Sequence, residues 1–296
     1  MNNADCLQLY ETYLKGEKKA SENTLSSYLR DIRQFADFLD YHLSTDLYNS
    51  DNDCINQYIL YLKENNSSDA TVSRKIASIK NFYKFLYSKN LIEENPSGYL
   101  IAQKVIHKLP EILSVEEINL LLSQPDMLTM KGIRDKAMLE LLYATGLRVS
   151  ELLNLNISDI DIHSECLICS GKNKERIIPV YRKAIEVIKN YLAVVRPSMI
   201  ASLDENALFV NTSGERMTRQ GFWKLIKKYQ KSAGIEKDIT PHTLRHSFAA
   251  HLVENGADLY SLQEMMGHSN IASTSVYSAF MKHQIRDVYN SAHPRA

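Results

Sequence analysis

Apolar residues recur at helical spacing along most of the chain. Between Thr24 and Leu39 they fall at Leu25, Tyr28, Leu29, Ile32, Phe35, Ala36 and Leu39. The same spacing returns from Asp53 to Leu62 at Ile55, Tyr58, Ile59 and Leu62, and from Thr71 to Leu86 at Ile76, Ile79, Phe82, Tyr83 and Leu86. Stripes of this kind predict helices that bury one face against one another. Ser68-Asp69 offers a cap for the third helix, and stretches rich in Asn, Ser and Asp separate the three. Asn95-Pro-Ser-Gly98 stops the pattern. Residues 1–100 are therefore expected to form one helical bundle, joined through a linker at about residues 99–109 to a second domain over residues 108–296.

That second stretch opens with Ser114-Val-Glu-Glu117, a capping box. Arg134 to Tyr143 is strongly apolar and stops near Gly146, a helix C-cap signal. Helix resumes from Ser150 to Leu155. The period then changes. Residues 161–169 and 176–180 flank a polar, turn-prone segment, Ser170 to Lys174, and together predict an antiparallel β-hairpin. From Ala184 the pattern is helical to the end, broken at Ser213-Gly214 and around Gly234. The fold class expected is mainly α: an N-terminal helical bundle and a larger α-rich domain carrying a small antiparallel sheet.

The chain has 296 residues, 44% hydrophobic and 24% charged, which suits a two-domain globular protein without disulfide or metal staples. Met1-Asn-Asn-Ala-Asp5 lacks the basic and apolar regions of a signal peptide, and there is no apolar run of about 18 residues. The expectation is a soluble, cytoplasmic protein with no membrane partner. Cys166 and Cys169 have C-x-x-C spacing without a second pair, in a strand where they face opposite sides, so free thiols are expected.

Net charge is zero, from 35 basic and 35 acidic residues. Residues 1–109 hold 13 basic and 14 acidic side chains and residues 110–296 hold 22 and 21, so neither half is basic as a whole. The imbalance is local. Thr71 to Lys89 carries Arg74, Lys75, Lys80, Lys84 and Lys89 with no acid; Arg216 to Lys231 carries Arg216, Arg219, Lys224, Lys227, Lys228 and Lys231 with no acid. The hairpin tip adds Lys172, Lys174 and Arg176. Acid-free runs in both halves point to phosphate-binding faces, with Arg74, Lys75, Lys80, Lys174, Arg219 and Lys224 as candidate contacts.

The most informative stretch is Thr240-Pro-His-Thr-Leu-Arg-His-Ser-Phe-Ala-Ala-His251. Thr240 suits an N-cap and Pro241 the first helical position. His242 and Arg245, three apart, share a face at a helix start that already favours an anion, opposite Leu244, Phe248 and Leu252. Gly267 fits a C-cap, which aims His268 off the helix end, and Tyr277 follows nine residues later.

The ordered set resembles the tyrosine recombinase (phage integrase) family. Ala144-Thr-Gly-Leu-Arg148-Val-Ser-Glu-Leu152 looks like that family's first arginine box, Pro241 to Ala249 like its second, and Leu262 to His268 through Tyr277 like its third. The N-terminal helices are similar to its core-binding, SAM-like domain and the rest to its catalytic domain. The compact length is similar to the cellular Xer branch, and the ending His293-Pro-Arg-Ala296 to its XerD subgroup.

The resemblance implies a site-specific recombinase that breaks and rejoins DNA strands. Tyr277 would attack the phosphodiester to give a 3′-phosphotyrosyl intermediate. Arg148 and Arg245 would present forked donors to the non-bridging oxygens, which Lys does less well. A phenol with an ordinary pKa of about 10 needs a base, and His242 is the candidate, with His268 a phosphate hydrogen-bond donor. A hairpin lysine would protonate the leaving 5′-oxygen. The family's hairpin usually reads Gly-Lys-Gly-x-Lys; here it is Gly171-Lys172-Asn173-Lys174, one residue shorter, leaving Lys172 as first choice and Lys174 as fallback. No cofactor or metal is implied, because the phosphotyrosine keeps the energy of the broken bond. The implied partners are a double-stranded recombination site, a XerC-like recombinase or further copies of the chain in a cyclic tetramer, and a DNA translocase of the division machinery, with residues 281–296 docking on a neighbouring subunit. The implied role is resolution of chromosome dimers. A mobile-element integrase of the same family, a type IB topoisomerase and a non-catalytic helical DNA-binding protein remain as alternatives.

Overall fold

The computed structural model describes residues 2–100, 110–170, 175–267 and 272–281. The chain divides into two compact units, Met1–Lys108 and Leu109–Ala296.

Among its described residues the first unit holds four helices: α1 (Asn3–Gly16), α2 (Glu22–Phe38, continued by a π-turn at Leu39–Leu43), α3 (Asn52–Glu64) and α4 (Asp69–Ser88). Each begins on a short polar side chain, Asn2, Ser21, Asp51 or Ser68, that accepts the backbone N–H three residues on. The polar stretches that separate the apolar stripes are thus the helix starts. The core is aromatic: the Tyr10 and Phe82 rings meet edge to face at 5.2 Å, and Phe35 lies 5.0 Å from Tyr58. Ile76, Ile79 and Phe82 are buried, as their spacing predicts.

The basic row on α4 is not one outward face. Lys75 is only 8% exposed, and its ammonium donates to Gln34 Oε1 at 2.6 Å and Tyr58 Oη at 3.0 Å. It shares the inward stripe with Val72 and Ile79, so its stem and charge serve the interior instead of a phosphate. Lys80 donates to the Leu100 carbonyl at 2.7 Å. Arg74 pairs with Asp31, a carboxylate 1% exposed that also accepts from Ser78 Oγ at 2.7 Å. The Arg74 guanidinium itself stays half exposed, and Lys84 is exposed.

The second unit contains α5 (Val115–Ser123), α6 (Met130–Thr145), α7 (Val149–Asn154), α8 (Arg182–Asn190), α9 (Arg219–Ser232), α10 (Pro241–Glu254), α11 (Leu259–Met266) and α12 (Ala272–Ser275), the last running into a 3₁₀ turn at Val276–Met281. The capping box is present: Ser114 Oγ accepts from Glu117 N at 3.2 Å, and Glu117 Oε2 accepts from Ser114 N at 2.7 Å. Helix α6 is buried on nearly every side from Ala137 to Leu142, as its unbroken apolar run requires, and packs against α5, α8 and α10. Of its three buried charges, Glu140 pairs with Lys136 at 2.7 Å, and Arg134 and Asp135 satisfy each other. Asp135 accepts from Arg134 Nη2 at 2.6 Å and from Tyr229 Oη of α9 at 2.8 Å, while Arg134 Nη1 donates to the Val210 carbonyl at 3.1 Å.

The predicted hairpin forms from β2 (Cys166–Ser170) and β3 (Glu175–Pro179), antiparallel with Ile168 opposite Ile177. The expectation of a single strand over residues 161–169 is corrected. A separate β1 (Ile160–Asp161) pairs with β2, so the sheet has three strands in the order β1-β2-β3. Asp161 reverses the chain by accepting the amides of His163 and Ser164 at 2.8 and 3.0 Å, and Glu165 takes a left-handed φ of 49°. Cys166 and Cys169 are free, the second fully buried. The break near Ser213-Gly214 is also wider than predicted. Residues 199–218 are non-helical and carry two short antiparallel bridges, Asn156 with Ala207 and Val210 with Arg216. No helix among the described residues is long and apolar enough to cross a membrane.

Candidate active site

The three motif segments meet at the C-terminal end of α11. Gly267 ends this helix in the left-handed region, φ 62°, and the last helical carbonyls are left without intrahelical donors. Three arginines from three parts of the chain supply them. Arg176 Nε of β3 donates to the Met265 carbonyl at 2.9 Å, Arg245 Nη2 of α10 to Met266 at 2.7 Å, and Arg148 Nη2, from the residue that precedes α7, to Gly267 at 3.4 Å. Cations here also oppose the negative end of the helix dipole. The guanidinium of Arg176 lies so close over Gly267 that a Cβ there would meet its Nη1 at 2.6 Å.

Glu151 orders the same cluster. Its Oε1 accepts from Arg148 Nη1 at 3.0 Å and Arg176 Nη1 at 3.1 Å; its Oε2 accepts from Arg176 Nη2 at 2.9 Å and from the Arg148 amide at 2.8 Å. Burial by itself raises the carboxyl pKa, but the Arg176 hydrogen bonds, the Arg148 amide and both positive charges outweigh it and hold the group below the usual carboxylate range. Arg176 is therefore a structural fork and not part of a phosphate-facing hairpin tip. Arg148 keeps 40% of its side chain exposed.

Arg245 is 4% exposed and reaches back to α6, where Nη1 donates to the carbonyl of Gly146. Gly146 is the left-handed residue, φ 58°, that closes α6 and turns the chain toward Arg148. A Cβ at this position would overlap the Phe248 ring, with Cε1 at 2.6 Å. Gly146→Ala combines a left-handed alanine, about 1–2 kcal/mol, with overpacking of roughly 1–3 kcal/mol. The transition of the second unit is expected to fall by roughly 5–15 °C in a thermal melt, at about 2–4 °C per kcal/mol. Gly234→Ala is the control. It has the same backbone sign, φ 63°, with nothing within 4 Å of an added Cβ, so a loss as large there would refute the clash as the cause.

Helix α10 starts as its sequence predicts: Pro241 stands first, and Thr240 Oγ1 accepts from Thr243 N at 3.1 Å. His242 is exposed on the first turn. Partial desolvation and the charges of Arg245, Arg219 and Arg148 keep its pKa below the ordinary imidazole value. Tyr277 is 1% exposed, its ring packed with Phe248, Ala249, Val253, Leu262 and Met266. Its Oη lies 2.5 Å from Nδ1 of His246. Burial pushes the phenol up to about 12, with the Arg245 charge opposing.

The base expected at His242 is thus not the ring that touches the phenol. Among the described residues, the hydrogen-bond partner of Tyr277 is His246, whose ring centroid is 6.4 Å from that of His242. The available signal was positional, since residue 246 is four beyond His242 and shares its helix face. Lys172, Lys174, His268 and the tail over residues 282–296 lie outside the described residues.

On α9, Arg219 and Lys224 are exposed, and Arg219 lies close enough to His242 to act on its titration. Lys228 and Lys231 are exposed on the same helix, while Lys227 pairs with Asp238. Arg216 turns inward, donating to the Leu153 and Leu155 carbonyls at 2.9 Å and to Asn156 Oδ1 at 2.6 Å. No group of three or more His, Cys, Asp or Glu side chains among the described residues is arranged to hold a metal ion.

Comparison with known proteins agrees with this order of elements. The model of the phage integrase family matches residues 111–283, and that of the phage integrase N-terminal SAM-like domain matches residues 7–90. The chain belongs to the phage integrase family, the tyrosine recombinases. The tyrosine recombinase XerD of Oceanobacillus iheyensis is 46% identical over 287 residues, 96% of each chain, and that of Halalkalibacterium halodurans is 41% identical over 292 residues, 98% of each. Among solved structures, the XerA recombinase is 28% identical over 99% of this chain and all of that one, with a TM-score of 0.55. The fold is also that of the XerH site-specific recombinase in its post-cleavage complex with a difH substrate, with a TM-score of 0.74 at 22% identity over 95% of this chain and 83% of that one.

Proposed function

We propose that the chain is a site-specific DNA recombinase of the XerD type, cutting and rejoining strands through a 3′-phosphotyrosyl intermediate on Tyr277. The observation that carries this reading is the convergence of Arg148, Arg245 and the Tyr277 segment around one helix end, in the order of the three family boxes. Arg148 and Arg245, each held by backbone carbonyls, form a preorganised clamp for the charge that builds on the non-bridging oxygens of the scissile phosphate. His242, exposed on the first turn of α10 with its pKa held below the ordinary imidazole value, is assigned the base that takes the Tyr277 proton. Lys172, with Lys174 as the alternative, is assigned the protonation of the leaving 5′-oxygen, and His268 a further phosphate contact. No cofactor is assigned.

Residues 1–100 serve in this reading as the core-binding domain and residues 108–296 as the catalytic domain. Working in the cytoplasm, the protein would pair with a XerC-like recombinase, or with copies of itself, in a cyclic tetramer on a duplex recombination site. A DNA translocase of the division machinery would activate it, and the outcome would be resolution of chromosome dimers. Mixing the protein with a nicked suicide duplex of its site tests the chemistry. A covalent adduct on the 3′ side of the cut is expected, and its absence on a duplex the protein demonstrably protects would overturn the reading.

The α9 cations make a second test. Neutralising Arg219 or Lys224 is expected to weaken binding across sequences and to lower the slope of log K against log salt by about 1 each. Lys75→Met, which removes a buried charge, is expected to leave that slope unchanged; a slope change there would return Lys75 to the DNA face.

A further inference from the structure

We propose that Arg176 is a positioning residue of the cleavage step: it takes up the charge of Glu151, so that Arg148 keeps its own for the scissile phosphate. The proposal rests on the reading of Arg148 as part of the phosphate clamp, and it goes beyond that reading by naming the group that keeps the clamp charged. The need follows from what surrounds Arg148. Its Nη1 donates to Glu151 Oε1 at 3.0 Å, and its amide donates to Oε2 at 2.8 Å. A guanidinium matched by one carboxylate alone is a neutral unit with little field left for an anion. Arg176 changes that balance. It closes on the same carboxylate with two nitrogens, Nη1 to Oε1 at 3.1 Å and Nη2 to Oε2 at 2.9 Å. Two guanidinium charges against one carboxylate leave one positive charge on the cluster.

Exposure decides where that charge is felt. The Arg176 side chain is 11% exposed and that of Glu151 16%, whereas Arg148 keeps 40%. All three side-chain nitrogens of Arg176 are engaged, the third being Nε, which donates to the Met265 carbonyl at 2.9 Å. Arg176 therefore acts on the phosphate through Glu151 and Arg148. Its bidentate fork matches the carboxylate more fully than the single side-chain contact from Arg148 does. Burial by itself would raise the Glu151 carboxyl, and the Arg176 hydrogen bonds lead the influences that hold it below the usual carboxylate range. The group is thus anionic at neutral pH and needs a cation of its own. The scaffold fixes the arrangement. Arg176 stands on β3 opposite Cys169 of β2 and is tied to the last turn of α11, while Glu151 lies in the first turn of α7, which Arg148 precedes. Without Arg176, the carboxylate would draw the Arg148 fork onto itself and cancel its charge.

The test compares full-length wild type, Arg176→Gln, Glu151→Gln and the pair on the suicide duplex, under single turnover and at a temperature where each is folded. Arg176→Gln is expected to slow adduct formation by about 10–100-fold, the range for losing a partner that orients a functional group from behind. Adding Glu151→Gln should then raise the rate. A neutral amide no longer cancels the Arg148 charge, and its carbonyl oxygen can still accept from the Arg148 amide. With position 151 neutral, Arg176 has no charge to offset, so the pair should cleave as fast as Glu151→Gln alone. A merely structural Arg176 predicts the reverse, because a second lost partner makes the pair slower than either single variant. A scissile methylphosphonate, whose phosphorus carries no negative charge, gives the other readout. The Arg176→Gln deficit should disappear on it.

An Arg176→Gln rate equal to wild type, a rate that Glu151→Gln fails to raise, or a deficit of the same size on the methylphosphonate overturns the proposal and leaves the nucleophile assignment standing. Should Arg176→Gln not fold, Glu151→Gln set against the pair decides: equal rates support the proposal, and a slower pair overturns it. An Arg148→Ala protein that cleaves as wild type does would overturn the reading of Arg148 as clamp, and the proposal with it.

Discussion

Tyr277→Phe is expected to bind the recombination site as wild type does and to form no covalent adduct. Phenylalanine keeps the ring that fills the pocket between Phe248, Ala249, Val253, Leu262 and Met266, so the 3₁₀ turn at Val276–Met281 should stay seated. What is lost is one oxygen, and with it the only bond this side chain could make to phosphorus. The stability effect should be small. One hydrogen bond to His246 disappears, and His246 is half-buried and can turn to water, so the change is about 1 kcal/mol or less. The informative pair of measurements is therefore adduct on a denaturing gel beside affinity and melting temperature. No adduct with intact binding and folding assigns the nucleophile. An adduct from Tyr277→Phe would mean that another of the chain's tyrosines attacks, and the role of the cluster around α11 would have to be redrawn.

Much of this site was legible in the sequence because its parts are local. Thr240 before Pro241, Ser114 three residues before Glu117, and glycine at positions 146 and 267 each specify a helix end through short-range hydrogen bonds or one backbone angle. These need no knowledge of the fold. The spacing of Arg148, Arg245 and Tyr277 as ordered boxes was equally visible. Other features depend on which face a helix turns inward. The acid-free run on α4 could not distinguish Lys75, which lies beneath Tyr58 and Gln34, from the half-exposed Arg74 one residue earlier. Arg176 and Arg216 counted as surface charge until the fold supplied Glu151 for the one and the carbonyls of residues 153 and 155 for the other. His246 belongs to the same group. Its neighbour across the site is 31 positions away in sequence, and no local rule connects them.

The neutral total charge is consistent with this arrangement. In the second unit the carboxylates that balance the basic residues include Glu151, Asp135 and Asp238, each of them taken up by a named cation or hydroxyl. Arg219, Lys224, Lys228 and Lys231 remain exposed along α9. A balanced sum therefore coexists with a basic helix beside the arginine cluster.

Arg245→Lys is expected to cost the most among substitutions that keep the charge. Lysine preserves one positive charge but not the planar fork, and here the fork has two duties. One is to the protein. Nη1 and Nη2 hold the carbonyls of Gly146 and Met266, one ending α6 and the other ending α11, at a position only 4% exposed. A single ammonium cannot reach both ends with the same geometry, and a buried carbonyl left without a donor costs about 1–3 kcal/mol. The other duty is to the phosphate, where loss of one preorganised donor lowers a rate by about 10²–10³. The two effects separate in experiment. If the fork matters mainly for the fold, Arg245→Lys lowers the melting temperature and the adduct rate recovers at low temperature, where the folded form is restored. If it clamps the scissile phosphate, the rate stays down by about 10²-fold or more even where circular dichroism and DNA affinity match wild type. The second result is expected, because Glu151 and Arg176 still hold Arg148 and the end of α11 through their own hydrogen bonds. An Arg245→Lys enzyme that cleaves at the wild-type rate would remove Arg245 from the chemistry and leave it a structural tie alone.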